Sequence, residues 1–151
     1  MTWESRRLSG ILLVVFPTVI FGGATLLTLL VGDPRYMENP LRQNLWRAGH
    51  AHAGVLLVLS LLALRYVDET RLTENLKRFV RYAIPGTAIL LPLAFFLSVL
   101  SPDATEPNAL IYLAYVGGVL LASALVTLGI GILRSPRADI DVTHRDRGQA
   151  A

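Results

Sequence analysis

Gly10-Ile-Leu-Leu-Val-Val-Phe-Pro-Thr-Val-Ile-Phe-Gly-Gly-Ala-Thr-Leu-Leu-Thr-Leu-Leu-Val31 decides the fold, because it contains no ionisable side chain. A helix needs about 20 apolar residues, at ~1.5 Å each, to cross ~30 Å of hydrocarbon. This run meets that requirement, and three more blocks of similar length follow it. The pattern predicts an all-α, multi-pass membrane protein with four transmembrane helices, at about 10–31, 45–66, 82–100 and 109–133. The 53% hydrophobic content fits that reading, since the apolar residues fall in blocks rather than at the short periods of a soluble domain. Residues 1–133 form a single four-helix domain, and the polar, mixed-charge tail 134–151 is expected to be disordered.

Arg6-Arg7 ahead of the first block also suits a secretory or twin-arginine signal. The block is too long for a signal h-region and lacks an A-x-A cleavage site, so a retained helix is expected. Asn39-Pro40 places an N-cap before a proline whose missing N–H costs nothing at the first helical position, so the second helix should begin ahead of the membrane. Asp33-Pro34 and Pro102-Asp103 are turn signals. Leu72, Leu76, Phe79 and Val80 recur at helical spacing beside Lys77, Arg78 and Arg81, which predicts a short amphipathic helix lying on the membrane surface.

Charge sets the orientation. Of the 14 Lys and Arg residues, only Arg35, Arg42 and Arg47 flank the far ends of the helices. The rest lie at the N-terminus (Arg6, Arg7), between the second and third helices (Arg65, Arg71, Lys77, Arg78, Arg81) and in the tail (Arg134, Arg137, Arg145, Arg147). The positive-inside bias then puts both termini in the cytoplasm, and the expected location is a bacterial inner membrane. Basic residues in such loops report orientation rather than nucleic-acid binding. With no cysteine, disulfides, thiolate metal sites, a lipoprotein anchor and thiol catalysis are excluded.

The chemistry concentrates in Arg47-Ala-Gly-His50-Ala-His52-Ala-Gly54. With hydrocarbon starting near Leu45, the two histidines lie roughly 7–11 Å deep. Residues two apart on a helix point about 200° apart, so His50 and His52 cannot ligate one metal from one helix. Gln43, Arg47, His50, Ala51 and Gly54 share one stripe, and His52 shares another with Leu45, Ala48, Val55, Leu59 and Ala63. Gly49, Gly54 and the alanines strip bulk from the region, which predicts that something flat or close approaches there.

Two readings compete for this niche. In one, small residues permit tight helix packing and each imidazole bonds to a neighbouring carbonyl or hydroxyl, with Ser60, Thr87, Ser98, Tyr112, Tyr115, Ser123 and Thr127 as candidates. In the other, a neutral imidazole ligates haem b iron or copper, His50 first and His52 second, with Arg47 as anion partner and Gly54 giving room. Met37 is a further soft ligand or an interfacial anchor. A second ligand would come from a second copy of the chain, which makes a homo-oligomer or a larger membrane complex the expected setting.

Trp46–Gly54, together with Arg6-Arg7-Leu8-Ser9-Gly10, resembles a group of small four-helix bacterial membrane proteins of actinobacterial type. That likeness runs through most of the chain; it implies the architecture and carries no established activity. The His-x-His of His50 and His52 is also similar to a helix of haem–copper oxidase subunit I, whose two histidines ligate haems on opposite faces. An oxidase core needs several more membrane histidines, whereas this chain has three histidines in all, with His144 in the tail.

Pro17, Gly22-Gly23, Pro85, Pro92, Gly117-Gly118, Gly129 and Gly131 are expected to kink or closely pack the helices. No Asp, Glu or Lys falls inside a membrane segment, which counts against a proton-coupled exporter. There is no phosphate loop, nucleophile elbow or catalytic carboxylate pair, so enzymatic activity is not expected. The functions carried forward are a haem- or copper-binding protein for electron transfer, cofactor handling or redox sensing, an accessory or assembly subunit, and a homo-oligomeric channel or transporter.

Overall fold

A computed structural model describes residues 1–135, and these are helical with no strand. The elements are α1 (Trp3–Gly32), a single turn α2 (Pro34–Met37), α3 (Pro40–Val67), α4 (Glu74–Ser98), a 3₁₀ turn (Ala109–Ile111) and α5 (Tyr112–Leu133). Four of these segments are long and apolar enough to span a membrane. The disordered tail expected from residue 134 falls almost wholly outside the described residues, as does His144.

The helices run up, down, up and down. At one end the N-terminus, the α3–α4 connection and the exit of α5 meet, where Arg71 N–H donates to Ser135 Oγ at 3.2 Å. At the other end Asn39 Nδ2 donates to the carbonyls of Pro102 and Ala104 at 3.1 and 3.0 Å, tying the two outer loops together. The orientation expected from the charge bias would make the first of these ends the cytoplasmic one. Asn39 also caps α3, accepting from Arg42 N–H at 3.0 Å, so the helix does start at Pro40.

Helix α3 is central. It packs on α1 on one side and α4 on the other, and α5 packs chiefly on α4. One apolar cluster joins Ala63 and Val67 to Val80 and Ile84 and to Ala124 and Leu128 of α5. A second joins Leu12 of α1 to Leu56, Leu57 and Leu64 and to Ala88 and Leu91. Glycines let these helices approach. A Cβ added at Gly117 would lie 2.9 Å from Leu91 Cγ, and one at Gly131 would lie 2.7 Å from Leu72 Cγ. Most of α1 faces outward instead, with Val14 and Phe21 80% and 74% exposed, as suits side chains solvated by lipid.

Two expectations need correction at the cytoplasmic end. Helix α1 begins at Trp3 rather than near residue 10, because Thr2 caps it through Ser5 N–H and the charged residues 4–7 are part of the helix. The surface helix expected at 72–81 does not exist as a separate element: residues 74–81 are the first turns of α4, which continues through Pro85 and Pro92 to Ser98. Arg81 is therefore not on a solvated face. It is 3% exposed, with Nη2 donating to Asp68 Oδ1 at 2.8 Å, Nη1 to Glu4 Oε2 at 3.0 Å and Nε to Ser5 Oγ at 3.0 Å. Asp68 also accepts from Ser5 Oγ at 3.1 Å and from Thr2 N–H. The expectation failed because Arg81's partners lie on α1 and at the end of α3, far away in sequence.

This cluster fixes α1 to α3 and α4. Burial pushes the Asp68 carboxyl upward, but bonds from Arg81, the Thr2 N–H and the Ser5 and Thr2 hydroxyls outweigh it, leaving the pKa below the ordinary carboxylate value. A depressed folded-state pKa contributes stability that is complete above the unfolded value of about 4 and is lost as pH falls through the lowered native value. Asp68→Asn should cost about 3–5 kcal/mol in detergent at pH 7, since it leaves Arg81 buried without its closest counter-charge. The wild-type advantage over Asp68→Asn should shrink as thermal unfolding is repeated toward pH 3. An Asp68→Asn variant as stable as wild type at pH 7 would contradict the assignment.

Candidate functional site

The histidine layer occupies the outer half of α3, where the helix is clasped from three sides. Gln43 Nε2 donates to the carbonyls of Tyr36 and Met37 at 2.9 and 2.8 Å, folding α2 down onto α3. Trp46 Nε1 donates to Phe96 O at 3.2 Å, and its ring lies between Tyr36 and Phe96 with centroids 5.8 and 5.9 Å away. Arg42 is 8% exposed, with its guanidinium 4.1 Å from the Trp46 ring and Nη2 donating to Leu100 O at 3.4 Å. Sequence reasoning placed Arg42 among the loop charges. Its i, i+4 spacing to Trp46 was the available signal.

His50 faces α1. Its ring is half-buried against Gly22-Gly23, where a Cβ at Gly23 would stand 3.0 Å from Nε2 and 3.1 Å from Cε1. The paired glycines leave a flat patch of helix that receives the imidazole. Among the described residues no hydrogen bond reaches the His50 ring. Two cavities flank it along the α1–α3 seam. Toward the outer end, one of about 240 Å³ is lined by Gly23, Leu26, Leu27, Leu30, Tyr36, Arg47 and His50. Deeper, one of about 410 Å³ is lined by Phe16, Val19, His50, Ala51, Gly54, Val55 and Val58.

His52 faces the other way. It is exposed on the helix surface with its ring tilted 39° against Phe95 of α4, centroids 5.1 Å apart. Its Nδ1 lies 2.7 Å from Ala48 O. A carbonyl can only accept, so Nδ1 is the donor, and in a neutral ring the lone pair then belongs to Nε2. The 200° separation expected from the sequence thus becomes two different environments on one helix.

Arg47 is exposed and anchored to its own helix, with Nε donating to Gln43 O at 3.1 Å and Nη2 to Gln43 Oε1 and Asn44 Oδ1 at 3.3 and 3.1 Å. Of the four expected site residues, the structure brings His50 and Arg47 to one cavity and His50 and Gly54 to the next, with His52 apart from both. What approaches the small residues closely is neighbouring helix. A Cβ at Gly49 would lie 3.1 Å from Phe96 Cε2, and one at Gly54 would lie 3.6 Å from Val19 Cγ1.

The hydroxyls proposed as imidazole partners are engaged elsewhere. Ser60, Thr87, Ser98, Ser123 and Thr127 each donate to a carbonyl of their own helix. Tyr112 and Tyr115 are exposed on α5, with ring centroids 6.2 Å apart, and Met37 is exposed on α2. No group of three His, Cys, Asp or Glu side chains suited to a metal occurs among the described residues. Neither family models, curated proteins nor solved structures match this chain.

The His50–Gly23 contact makes a measurable claim. Gly23→Ala should cost about 1–3 kcal/mol by overpacking, measured by unfolding in detergent. In a His50→Ala background most of that cost should vanish, because the two positions are in direct contact. Additive effects in the double variant would show that the imidazole does not fill this patch.

Proposed function

We propose that this chain is a small multi-pass membrane protein that holds a haem b iron or a copper ion through a histidine near its outer face, supporting electron transfer, cofactor handling or redox sensing. The observation that carries the reading is the His52 ring. Its Nδ1 is 2.7 Å from Ala48 O, an arrangement that favours the neutral tautomer with the lone pair on Nε2, on an exposed side chain. Metal-ligating histidines are commonly arranged this way, since a carbonyl bonded to the other ring nitrogen orients the ring and raises its basicity. The Ala48 carbonyl satisfies only one of the two ring nitrogens, and a ligand would engage the other.

The geometry orders the pair His52 before His50. Ligation at His50 would place Arg47 conveniently for a propionate and Gly54 below the ring, but α1 would first have to move away from Gly23. His52 needs no such movement. With one imidazole per chain on that face, the second ligand comes from a second copy related by a two-fold axis, each contributing the same residue. Phe95 beside His52 would pack against the bound group.

The test is the absorption spectrum and metal content of protein purified after expression with added haem precursor, run in parallel with copper supplementation. A Soret band or stoichiometric copper is expected in a dimer, lost in His52→Ala and kept in His50→Ala. Colourless, metal-free wild-type protein, with a dimer content that His52→Ala leaves unchanged, overturns the proposal.

A further inference from the structure

The two cavities beside His50 are consecutive segments of one groove between α1 and α3, and their linings differ in character. The outer one gathers Arg47, Tyr36 and His50 against a wall of α1 leucines. The inner one is apolar except for His50 itself. Neither lining includes an acidic residue. A groove with a cationic, donor-rich outer end and an apolar inner end matches the shape of a lipid standing in one leaflet.

We propose that the α1–α3 groove binds an anionic lipid of the outer leaflet, its phosphate at Arg47 and Tyr36 and one acyl chain running past His50 to Gly54 and Val58. The length fits. From Arg47 to Val58 the helix rises about 16 Å, the thickness of one leaflet of a ~30 Å hydrocarbon core. The charge fits as well. Arg47 spends Nε and Nη2 on its own helix, and its Nη1 makes no hydrogen bond among the described residues. The Tyr36 hydroxyl likewise makes none. Burial pushes that phenol above its ordinary pKa, against the lowering influence of Arg47 and Arg42, so it stays neutral and able to donate. A phosphate there would receive charge-assisted bonds from both groups.

The chain's seat is set by packing. The unfilled volume flanking His50 opens beside exposed Val55 and Val58, where an acyl chain restores the contacts that an empty groove lacks. This site does not depend on metal ligation, because His52 lies across the helix from it.

The experiment is native mass spectrometry of the full chain released from mixed micelles, with phosphatidylglycerol and phosphatidylcholine of identical chains in competition. Wild type should retain one phosphatidylglycerol with roughly ten-fold preference, because phosphatidylcholine offers the same phosphate but brings a choline cation that Arg47 repels in a partly buried site. Arg47→Gln should bring the preference close to one while still retaining lipid. Ala51→Leu, at an exposed position on the inner cavity, should reduce retention of both lipids without disturbing the fold. Equal retention by wild type, an undiminished preference in Arg47→Gln, displacement by inorganic phosphate, or stronger retention of a neutral prenylquinone would each overturn the proposal.

Discussion

Hydrocarbon offers a polar group no water, so every N–H, hydroxyl and charge that enters it must find a partner inside the protein. Most polar side chains of the described helices follow this rule, Arg42 Nε being a buried exception. Serine and threonine hydroxyls of α3, α4 and α5 turn back to carbonyls of their own helices, as His52 does through Nδ1. Arg81 is buried only because Asp68, Glu4 and Ser5 meet all three of its nitrogens. Local satisfaction of this kind leaves the helix surfaces apolar, and helices then associate through shape. That is why Gly49, Gly117 and Gly131 stand where neighbouring side chains come closest.

Helix α1 is the element for which shape is almost the only attraction. Its outward face belongs to lipid, and its contact with the other helices is chiefly with α3. Two features hold it in register. At the cytoplasmic end the Arg81 cluster joins Glu4 and Ser5 to α3 and α4. Farther out, His50 sits on Gly22-Gly23. Between and beyond these points the α1–α3 seam is open enough to leave cavities, whereas the α3–α4–α5 interior is filled by Ala63, Val67, Ile84 and Leu128. Arg47, Tyr36 and His50 therefore meet unfilled space on the α1 side, while a separate cavity of about 410 Å³ lies between the outer loops, lined by Arg35, Glu38, Asn39, Asp103 and Thr105.

Much of this was legible in the sequence. Long apolar runs marked the four spans, Asn39-Pro40 marked the start of α3, and helical arithmetic separated His50 from His52. What stayed hidden depended on partners remote in the chain. Arg81 reads as a solvated charge until Asp68 and Glu4 are brought beside it, and the same blindness detached residues 74–81 from α4. Arg42 reads as a loop cation although Trp46 and Leu100 cover it. Gly22-Gly23 reads as a kink or close-packing site, and what packs there is a ring from α3. Periodicity reports which face a residue occupies, but the identity of what covers that face is a tertiary fact.

The two imidazoles illustrate the difference. They are the same residue type, two positions apart, at nearly the same depth, and sequence alone gives no reason to rank one above the other except by neighbours. His50 has the richer neighbours, with Arg47 and Gly54 on its stripe, yet a helix lies against its Nε2 edge. His52 has apolar neighbours and a carbonyl that settles its tautomer. For a ligand, orientation and access of one nitrogen weigh more than the polarity of the surrounding stripe, because a lone pair directed at a helix backbone cannot reach a metal. Polarity of the stripe matters instead for binding that needs no directed lone pair, such as seating a charged head group above an apolar chain. One helix would thus separate the two proposed kinds of recognition by no more than the angle between its residues.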